Sequence, residues 1–146
     1  MGHHDEAIES LKIATHYTGK TRDLTGFIAN LANLGLTFHR AGRPKESLEH
    51  LQEAAGLARS FLYHDDQLAQ VLMCLGQVLK ERGRLRAAHT VLSEAVSVFR
   101  QLVGDPRHLT QAQRSLGRLS RTLERRRRSR PFPCNQGVHT VHIRRG

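Results

Sequence analysis

The chain has 146 residues, of which 38% are hydrophobic, enough for one core with part of the chain left outside it. It has no run of 18 apolar residues and no apolar signal segment near its N-terminus, so we expect no membrane insertion or secretion and a cytoplasmic protein. Most of the net charge of +10 lies in residues 121–146, which contain eight basic residues and a single acidic one, Glu124. In residues 1–120 the numbers of basic and acidic residues are nearly equal.

Apolar periodicity predicts six helices and no strand. Short segments rich in glycine, proline or aspartate separate the helices. Pro44, Asp65 or Asp66, and Asp105 are suited to the first turn or the N-cap of the helix that follows each of them. The predicted helices cover residues 4–17, 23–41, 44–61, 65–82, 85–103 and 108–126.

The sequence repeats itself with a period of about 41 residues, within the range typical of helical repeat arrays. The first-helix pattern occurs as Leu31-x2-Leu34-Gly35, Leu72-x2-Leu75-Gly76 and, more weakly, Leu116-Gly117. The second-helix pattern occurs as Ala7-x3-Leu11-x2-Ala14, Ser47-x3-Leu51-x2-Ala54 and Ala88-x3-Leu92-x2-Ala95. Three glycines fall in step with the repeat and are predicted to form the turn between its two helices: Gly2, Gly42 and Gly83.

These residues resemble the tetratricopeptide repeat, whose signature is a large apolar residue, Leu-Gly and an aromatic, followed later by two alanines around a large residue. The resemblance covers residues 2–123 and implies an all-α fold of about six helices, in which antiparallel hairpins stack as a short right-handed solenoid. The period exceeds the usual length of about 34 residues. In the length of its repeat the chain is similar to kinesin light chains. In its arginine-rich composition it is similar to the helical arrays of bacterial, especially actinobacterial, NTPase-type transcriptional regulators.

The phase of the repeat divides the chain into two full repeats flanked by two halves. The array of residues 1–123 is expected to contain a half repeat at 2–22, full repeats at 23–63 and 64–104, and a half repeat at 105–123. Residues 124–146 lose helical periodicity and are expected to form a disordered basic tail. The two half repeats favour a segment of a longer array, or a truncated or wrongly assigned reading frame. A further hypothesis is that the fragment has no independent function, which predicts self-association through the two uncapped ends.

The resemblance implies that the first helix of each hairpin lines a concave groove that binds a peptide or helix. The groove would grade from apolar to basic, which suits a protein or peptide partner with acidic residues, because arginine binds carboxylates in a bidentate manner. An alternative is that the arginines are only a solvated helix face. The predicted groove residues are Asn33, Leu36, Arg40, Gln70, Met73, Gln77, Lys80, Arg114, Arg118 and Arg121.

The densest charge in the chain follows the last predicted apolar residue and predicts a phosphate-binding cluster at Arg125, Arg126, Arg127, Arg128 and Arg130. Only Phe132 nearby could stack on a base. The alternative function is therefore a nucleic-acid-associated regulatory factor that uses the basic tail. The other interpretation is that the cluster belongs to a tail that has no role.

No constellation of residues predicts catalysis, a metal or a cofactor. The close histidine pairs His3-His4 and His139-x2-His142 have no cysteine or carboxylate at ligand spacing. Cys74 and Cys134 lie too far apart for a zinc motif, and the segment TGKTRD lacks the upstream glycine of a phosphate-binding loop. The sequence therefore predicts a non-enzymatic protein interaction module within a larger regulatory or scaffold protein.

Overall fold

Six helices make up the part of the chain that the computed structural model describes, residues 2–61 and 65–130, and this part contains no strand. The all-α prediction is confirmed. In chain order the helices are α1 (Gly2–Thr21), α2 (Leu24–Arg40), α3 (Pro44–Phe61), α4 (Asp66–Glu81), α5 (Leu85–Gln101) and α6 (Pro106–Arg128).

Aspartate side chains cap the first turn of three helices. The carboxylate of Asp23 accepts a hydrogen bond from the Gly26 amide at 2.9 Å, and Asp65 accepts one from Gln67 at 3.0 Å. At α6, the carboxylate of Asp105 accepts from the Arg107 amide at 2.9 Å. Each cap satisfies one amide that has no partner within its helix. Of the two candidates before α4, Asp65 is the cap.

The turns inside the two complete hairpins depend on glycine. Gly42 and Gly83 have φ of 73° and 74°, in the left-handed region that residues with a Cβ rarely adopt. Gly2 does not have this role, because it is the first residue of α1 rather than part of a turn. Glycine adopts helical and turn conformations alike, and Gly2 does not have the positive φ of the two turn glycines, so the repeat spacing alone does not make it a turn residue.

The last helix is longer than the sequence pattern predicts. α6 continues to Arg128, so residues 124–128 belong to the helix and not to a disordered tail. Arginine is a good helix former, and no proline or glycine lies between Gly117 and the end of the helix. Residues 131–146, the remainder of the expected tail, lie outside the described residues, as does Phe132.

The helices pack as consecutive antiparallel neighbours around an extended main layer of buried leucine, valine and alanine side chains. A smaller cluster of Ile8, Leu34 and Phe38 joins α1 to α2. The hairpins α2–α3 and α4–α5 are closed by glycine. A Cβ built on Gly35 would lie 2.7 Å from Cγ of Leu51, and one built on Gly76 would lie 2.7 Å from Cγ of Leu92. Carbon atoms in contact normally lie about 3.5–4.0 Å apart. The structure thus explains why the first helix of the repeat holds a glycine opposite a buried leucine of the second.

Candidate peptide-binding groove

The helices α2, α4 and α6 open their hairpins and lie in sequence along one face of the array. Three polar contacts connect them. His39 Nε2 on α2 lies 2.5 Å from a carboxylate oxygen of Glu81 on α4, and the Gln67 side-chain amide donates to the Thr25 carbonyl at 3.0 Å. His108 Nδ1 on α6 lies 3.6 Å from the Asp66 carboxylate. These contacts connect the three helices along this face, which we call the groove.

A hollow of about 230 Å³ lies in the middle of the groove, between α4 and α6. Its floor is apolar, because Met73 and Phe99 pack against the core, and the His108 ring lies 5.8 Å from the Phe99 ring, centroid to centroid. Two side-chain amides, which can donate to and accept from a peptide backbone, stand at its edge. The lining residues are Gln70, Met73, Cys74, Phe99, His108 and Gln111.

Cys74 packs against the core in the wall of this hollow. Burial raises the pKa of its thiol, and the positive charge of Arg40 opposes that rise without cancelling it. A thiol with a raised pKa is protonated at neutral pH, and the thiolate is the reactive form. The cysteine therefore contributes a small apolar surface to the hollow.

The end of α4 in the groove carries one carboxylate, Glu81, between the basic residues Lys80 and Arg82. A hydrogen bond from the Gln77 side chain lowers the pKa of the Glu81 carboxyl, and the contact with His39 lowers it further. Glu81 is therefore ionised at neutral pH. This end of α4 therefore carries both signs of charge, whereas α6 carries eight arginines and a single acid, so the wall formed by α6 is the one that favours an acidic partner.

α6 presents a stripe of arginines to solvent. Arg114, Arg118, Arg121, Arg125 and Arg128 follow one another at intervals of three or four residues, and all five are exposed. Residues at this spacing share one helix face, and 14 residues at 1.5 Å each span about 21 Å. Among the described residues none of the five has a carboxylate within ion-pair distance. We call these five residues the arginine stripe.

The stripe adjoins the hollow. Arg114 and Arg118 border a surface depression on α6 together with Gln111, and Gln111 also lines the hollow. By contrast, Arg126, Arg127 and Arg130 surround a different depression, together with Arg86 of α5. The arginines predicted as one phosphate-binding cluster are thus divided between two faces, with Arg125 and Arg128 on the stripe.

The predicted groove residues are only partly brought together. Gln70 and Met73 line the hollow, and Arg114 and Arg118 lie beside it. The α2 residues are farther along the groove: Asn33 and Arg40 are exposed, and Leu36 is half-buried. Among the remaining predicted residues, Gln77 hydrogen-bonds Glu81, Lys80 is half-buried, and Arg121 lies on the stripe.

Four of the six lining residues of the hollow are absent from the ten predicted groove residues: Cys74 and Gln111, which lie on first helices, and Phe99 and His108. Phe99 lies on a second helix, and the prediction took groove residues from first helices alone. His108 is in the first turn of α6, where a repeat pattern built on leucines and glycines gives no signal. The aromatic character of Phe99 at the end of a hairpin was the one available indication.

The described residues offer neither a metal site nor a membrane span. They contain no group of three or more histidine, cysteine, aspartate or glutamate side chains placed to hold one ion. None of the described helices is both long enough and apolar enough to cross a bilayer.

Comparisons with known proteins agree with this architecture. The family model for the tetratricopeptide repeat matches residues 27–101. Two crystal structures of TPR-like repeats from a Podosopora anserina protein described as a kinesin light chain superimpose on this chain with a TM-score of 0.74. Their sequence identity with this chain is 18%. One of the two is a single-residue variant. The match covers 87% of this chain and 62% of those chains, and identity this low shows a common fold alone. No curated protein matches the sequence.

Proposed function

The chain belongs to the tetratricopeptide repeat family, whose members generally mediate protein–protein interaction, and we propose that it binds a protein partner in the groove. The partner segment is a peptide or helix that carries one apolar side chain and several carboxylates. In this proposal the chain is a non-catalytic module of a larger regulatory or scaffold protein. The observation that carries the proposal is an arginine stripe, without an ion-pair partner among residues 2–61 and 65–130, next to a hollow with an apolar floor.

The order of features along the groove sets the expected order of features in the partner. An apolar side chain would enter the hollow over Met73 and Phe99, where Gln70 and Gln111 are placed to bond the peptide backbone. Because Gln111 also borders the depression with Arg114, carboxylates adjoining the anchor in sequence would reach the stripe.

Exposed ion pairs contribute little individually, about 0.2–1 kcal/mol each. The arginines are therefore expected to contribute through their number, through faster encounter with an acidic partner, and through bidentate geometry. Binding of this kind weakens as salt is added, because the Debye length falls from about 10 Å at 0.1 M to about 3 Å at 1 M. The apolar contact in the hollow is insensitive to salt and sets the remaining affinity.

Fluorescence anisotropy with a defined probe tests the proposal. The probe is a labelled peptide with one phenylalanine followed by four glutamates, and its comparison peptide has lysine in place of each glutamate. We expect the double variant Arg114→Glu/Arg118→Glu to weaken binding of the acidic probe by about tenfold or more, which corresponds to about 1.4 kcal/mol. The matched control is Arg100→Glu, an exposed arginine of α5 outside the stripe, which should change binding less than twofold.

A nucleic-acid partner is the second candidate, and one observation favours it. α6 carries eight arginines and a single acid, Glu124, and its arginines point to more than one side of the helix. A short DNA duplex in the same assay separates the two candidates. If Arg126→Glu/Arg127→Glu abolishes DNA binding and no variant affects the acidic peptide, the groove proposal is wrong and the nucleic-acid proposal gains support.

A further inference from the structure

A cavity of about 410 Å³ lies away from the groove, where α1 and α3 both pack on α2. Its floor is apolar and is formed by Phe27, Leu31 and Leu34 of α2. α1 forms one wall, and His50 of α3 stands on the other side. None of its lining residues belongs to the hollow or to the arginine stripe. We call this cavity the α1–α3 pocket.

The pocket is open because α1 has a glycine where α3 has an arginine. In the next repeat, Arg59 of α3 donates two hydrogen bonds to Glu94 of α5, at 2.8 and 2.7 Å, and so joins these two helices. Gly19 lies one repeat before Arg59 and has no side chain to form such a bridge. A Cβ built on Gly19 would lie 3.4 Å from the Phe27 ring, so the ring lies directly beneath this glycine.

The floor is also more exposed than its counterpart in the next repeat. Phe27 is half-buried, whereas Leu68, one repeat later, is only 3% exposed. An accessible aromatic ring can pack on an apolar or aromatic ligand. At about 30 Å³ for each group the size of a water molecule, the pocket has room for about a dozen such groups. This volume lies within the range of about 300–1,000 Å³ that is typical of small-molecule sites.

The rim of the pocket on α1 is basic. Lys12, His16 and Lys20 follow one another at intervals of four residues and share one helix face. Lys12 pairs with Glu9 at 2.9 Å, whereas Lys20 has no carboxylate within ion-pair distance among the described residues. The described residues that line the pocket include no aspartate or glutamate. The pocket therefore places the ammonium group of Lys20 beside an apolar floor.

His50 adds a polar group on the side of α3. Its Nδ1 lies 2.8 Å from the Glu46 backbone carbonyl oxygen, which can only accept, so Nδ1 carries a proton and donates it. The Phe38 ring lies 5.1 Å from the His50 ring, centroid to centroid, and helps to fix its orientation. Nε2 is then the nitrogen that a ligand can reach, and in the protonated ring it donates a hydrogen bond to an anion.

We propose that the α1–α3 pocket binds a small amphiphilic carboxylate, whose apolar body lies over Phe27 and whose carboxylate is bound by Lys20. Burial of the apolar body supplies most of the affinity, because an exposed ion pair contributes little. Lys20 selects the sign of the ligand's charge, since it attracts an anion and repels a cation. With Lys12 engaged by Glu9, one ammonium group matches a carboxylate better than a phosphate ester, which carries about −1.5 to −2 charges.

Titration of the full chain with octanoate, followed by amide shifts in proton–nitrogen correlation NMR spectra, tests the proposal. Octanoate has fewer non-hydrogen atoms than the pocket has room for. We expect saturable shifts of the Gly19, Phe27 and Leu31 amides, with a Kd of about 1 mM, and no shifts in α5. Octylamine, which has the same apolar body and a positive charge, should bind more weakly than octanoate.

A charge reversal separates the role of Lys20 from that of the apolar floor. Lys20→Glu should weaken octanoate binding about fivefold and strengthen octylamine binding, while the affinity for uncharged octanol changes less than twofold. The matched control is Lys45→Glu, an exposed lysine of α3 that does not line the pocket, which should change all three affinities less than twofold. Equal octanoate binding by wild type and Lys20→Glu would overturn the proposal.

A second variant closes the pocket. Gly19→Leu places a side chain over the Phe27 ring and should abolish the binding of both octanoate and octanol. Because Gly19 is exposed, this variant should melt within a few degrees of the wild type by circular dichroism. The proposal is wrong if octanoate gives no saturable shift, if the shifts spread over all six helices, or if Gly19→Leu binds octanoate like the wild type. Arg114→Glu/Arg118→Glu should bind octanoate normally, so this proposal and the groove proposal fail separately.

Discussion

The close approach of α4 and α5 at Gly76 makes a quantitative prediction about stability. In Gly76→Ala, the new Cβ would lie 2.7 Å from both Cγ and Cδ2 of Leu92, about 1 Å closer than carbon atoms in contact normally lie. Leu92 is only 2% exposed, so it cannot move away into solvent. Forcing one extra carbon into such a core typically costs about 1–3 kcal/mol.

A reference variant removes the contribution of helix propensity. Replacing glycine by alanine inside a helix is worth about 0.8–1.0 kcal/mol in the absence of contacts. Gly56→Ala should show this gain alone, because no atom lies within 4 Å of its added Cβ. The propensity term cancels between the two variants, so Gly76→Ala should be less stable than Gly56→Ala by the cost of overpacking, about 1–3 kcal/mol.

Urea denaturation followed by circular dichroism measures the difference, provided that the slope of unfolding free energy against urea is the same for both variants. Leu92→Ala provides a further check, because it removes the atoms that the new Cβ meets. Its destabilisation should be smaller in the Gly76→Ala background than in the wild type. Equal stabilities of Gly76→Ala and Gly56→Ala, or additive effects in the double variant, would refute the close-packing explanation of the repeat glycine.

Three further predictions follow from single contacts. Ser47 is fully buried and its hydroxyl makes no hydrogen bond among the described residues, so Ser47→Ala should leave the free energy of unfolding unchanged or raise it by about 1 kcal/mol in urea melts; a clear loss would contradict this. Asp105→Ala removes the cap of α6 and should cost about 1 kcal/mol in the same assay, whereas the exposed and uncapped position Gln101→Ala should change little. The pKa of Glu81 is lowered in the fold, so its ionised form stabilises the fold at pH values above its ordinary pKa of 4.5, and this stabilisation is lost as the pH falls. The difference in unfolding free energy between wild type and Glu81→Gln should therefore shrink from pH 7 to pH 3. A difference that does not change with pH would count against the contact.

The helical architecture could be predicted from the sequence because one set of residues fixes both pattern and packing. Leu75 and Gly76 lie one repeat after Leu34 and Gly35. In the structure each glycine lies against a leucine of the following helix, and the two leucines, Leu51 and Leu92, are also one repeat apart. Asp105 was identifiable for a similar reason, since its role depends only on the amides of the next turn. Predictions of this kind succeed where a residue's partner lies at a fixed distance along the chain.

The groove is harder to predict because its partners come from different repeats. The contact between His39 and Glu81 and the approach of His108 to Phe99 depend on how consecutive hairpins rotate relative to each other. A repeat pattern defines each hairpin but leaves that rotation to side chains that vary from copy to copy. The repeat pattern assigns Asn33, Gln70 and Gln77 alike to the groove helices. It does not indicate that Gln70 lines the hollow and that Asn33 and Gln77 do not.

The end of α6 shows how a boundary of a few residues changes a functional interpretation. If the helix had stopped at Leu123, Arg125 to Arg128 would have been one flexible run of charge, suited to phosphates of any arrangement. Because the helix continues to Arg128, consecutive arginines are turned by about 100° from one another, and the run separates into two faces. Arg125 and Arg128 extend the arginine stripe beside the groove, while Arg126 and Arg127 turn towards α5. The continuation of the helix to Arg128 therefore supports binding of an acidic partner to the stripe and gives the nucleic-acid alternative a separate surface. Substitutions on the two faces consequently distinguish the two functions.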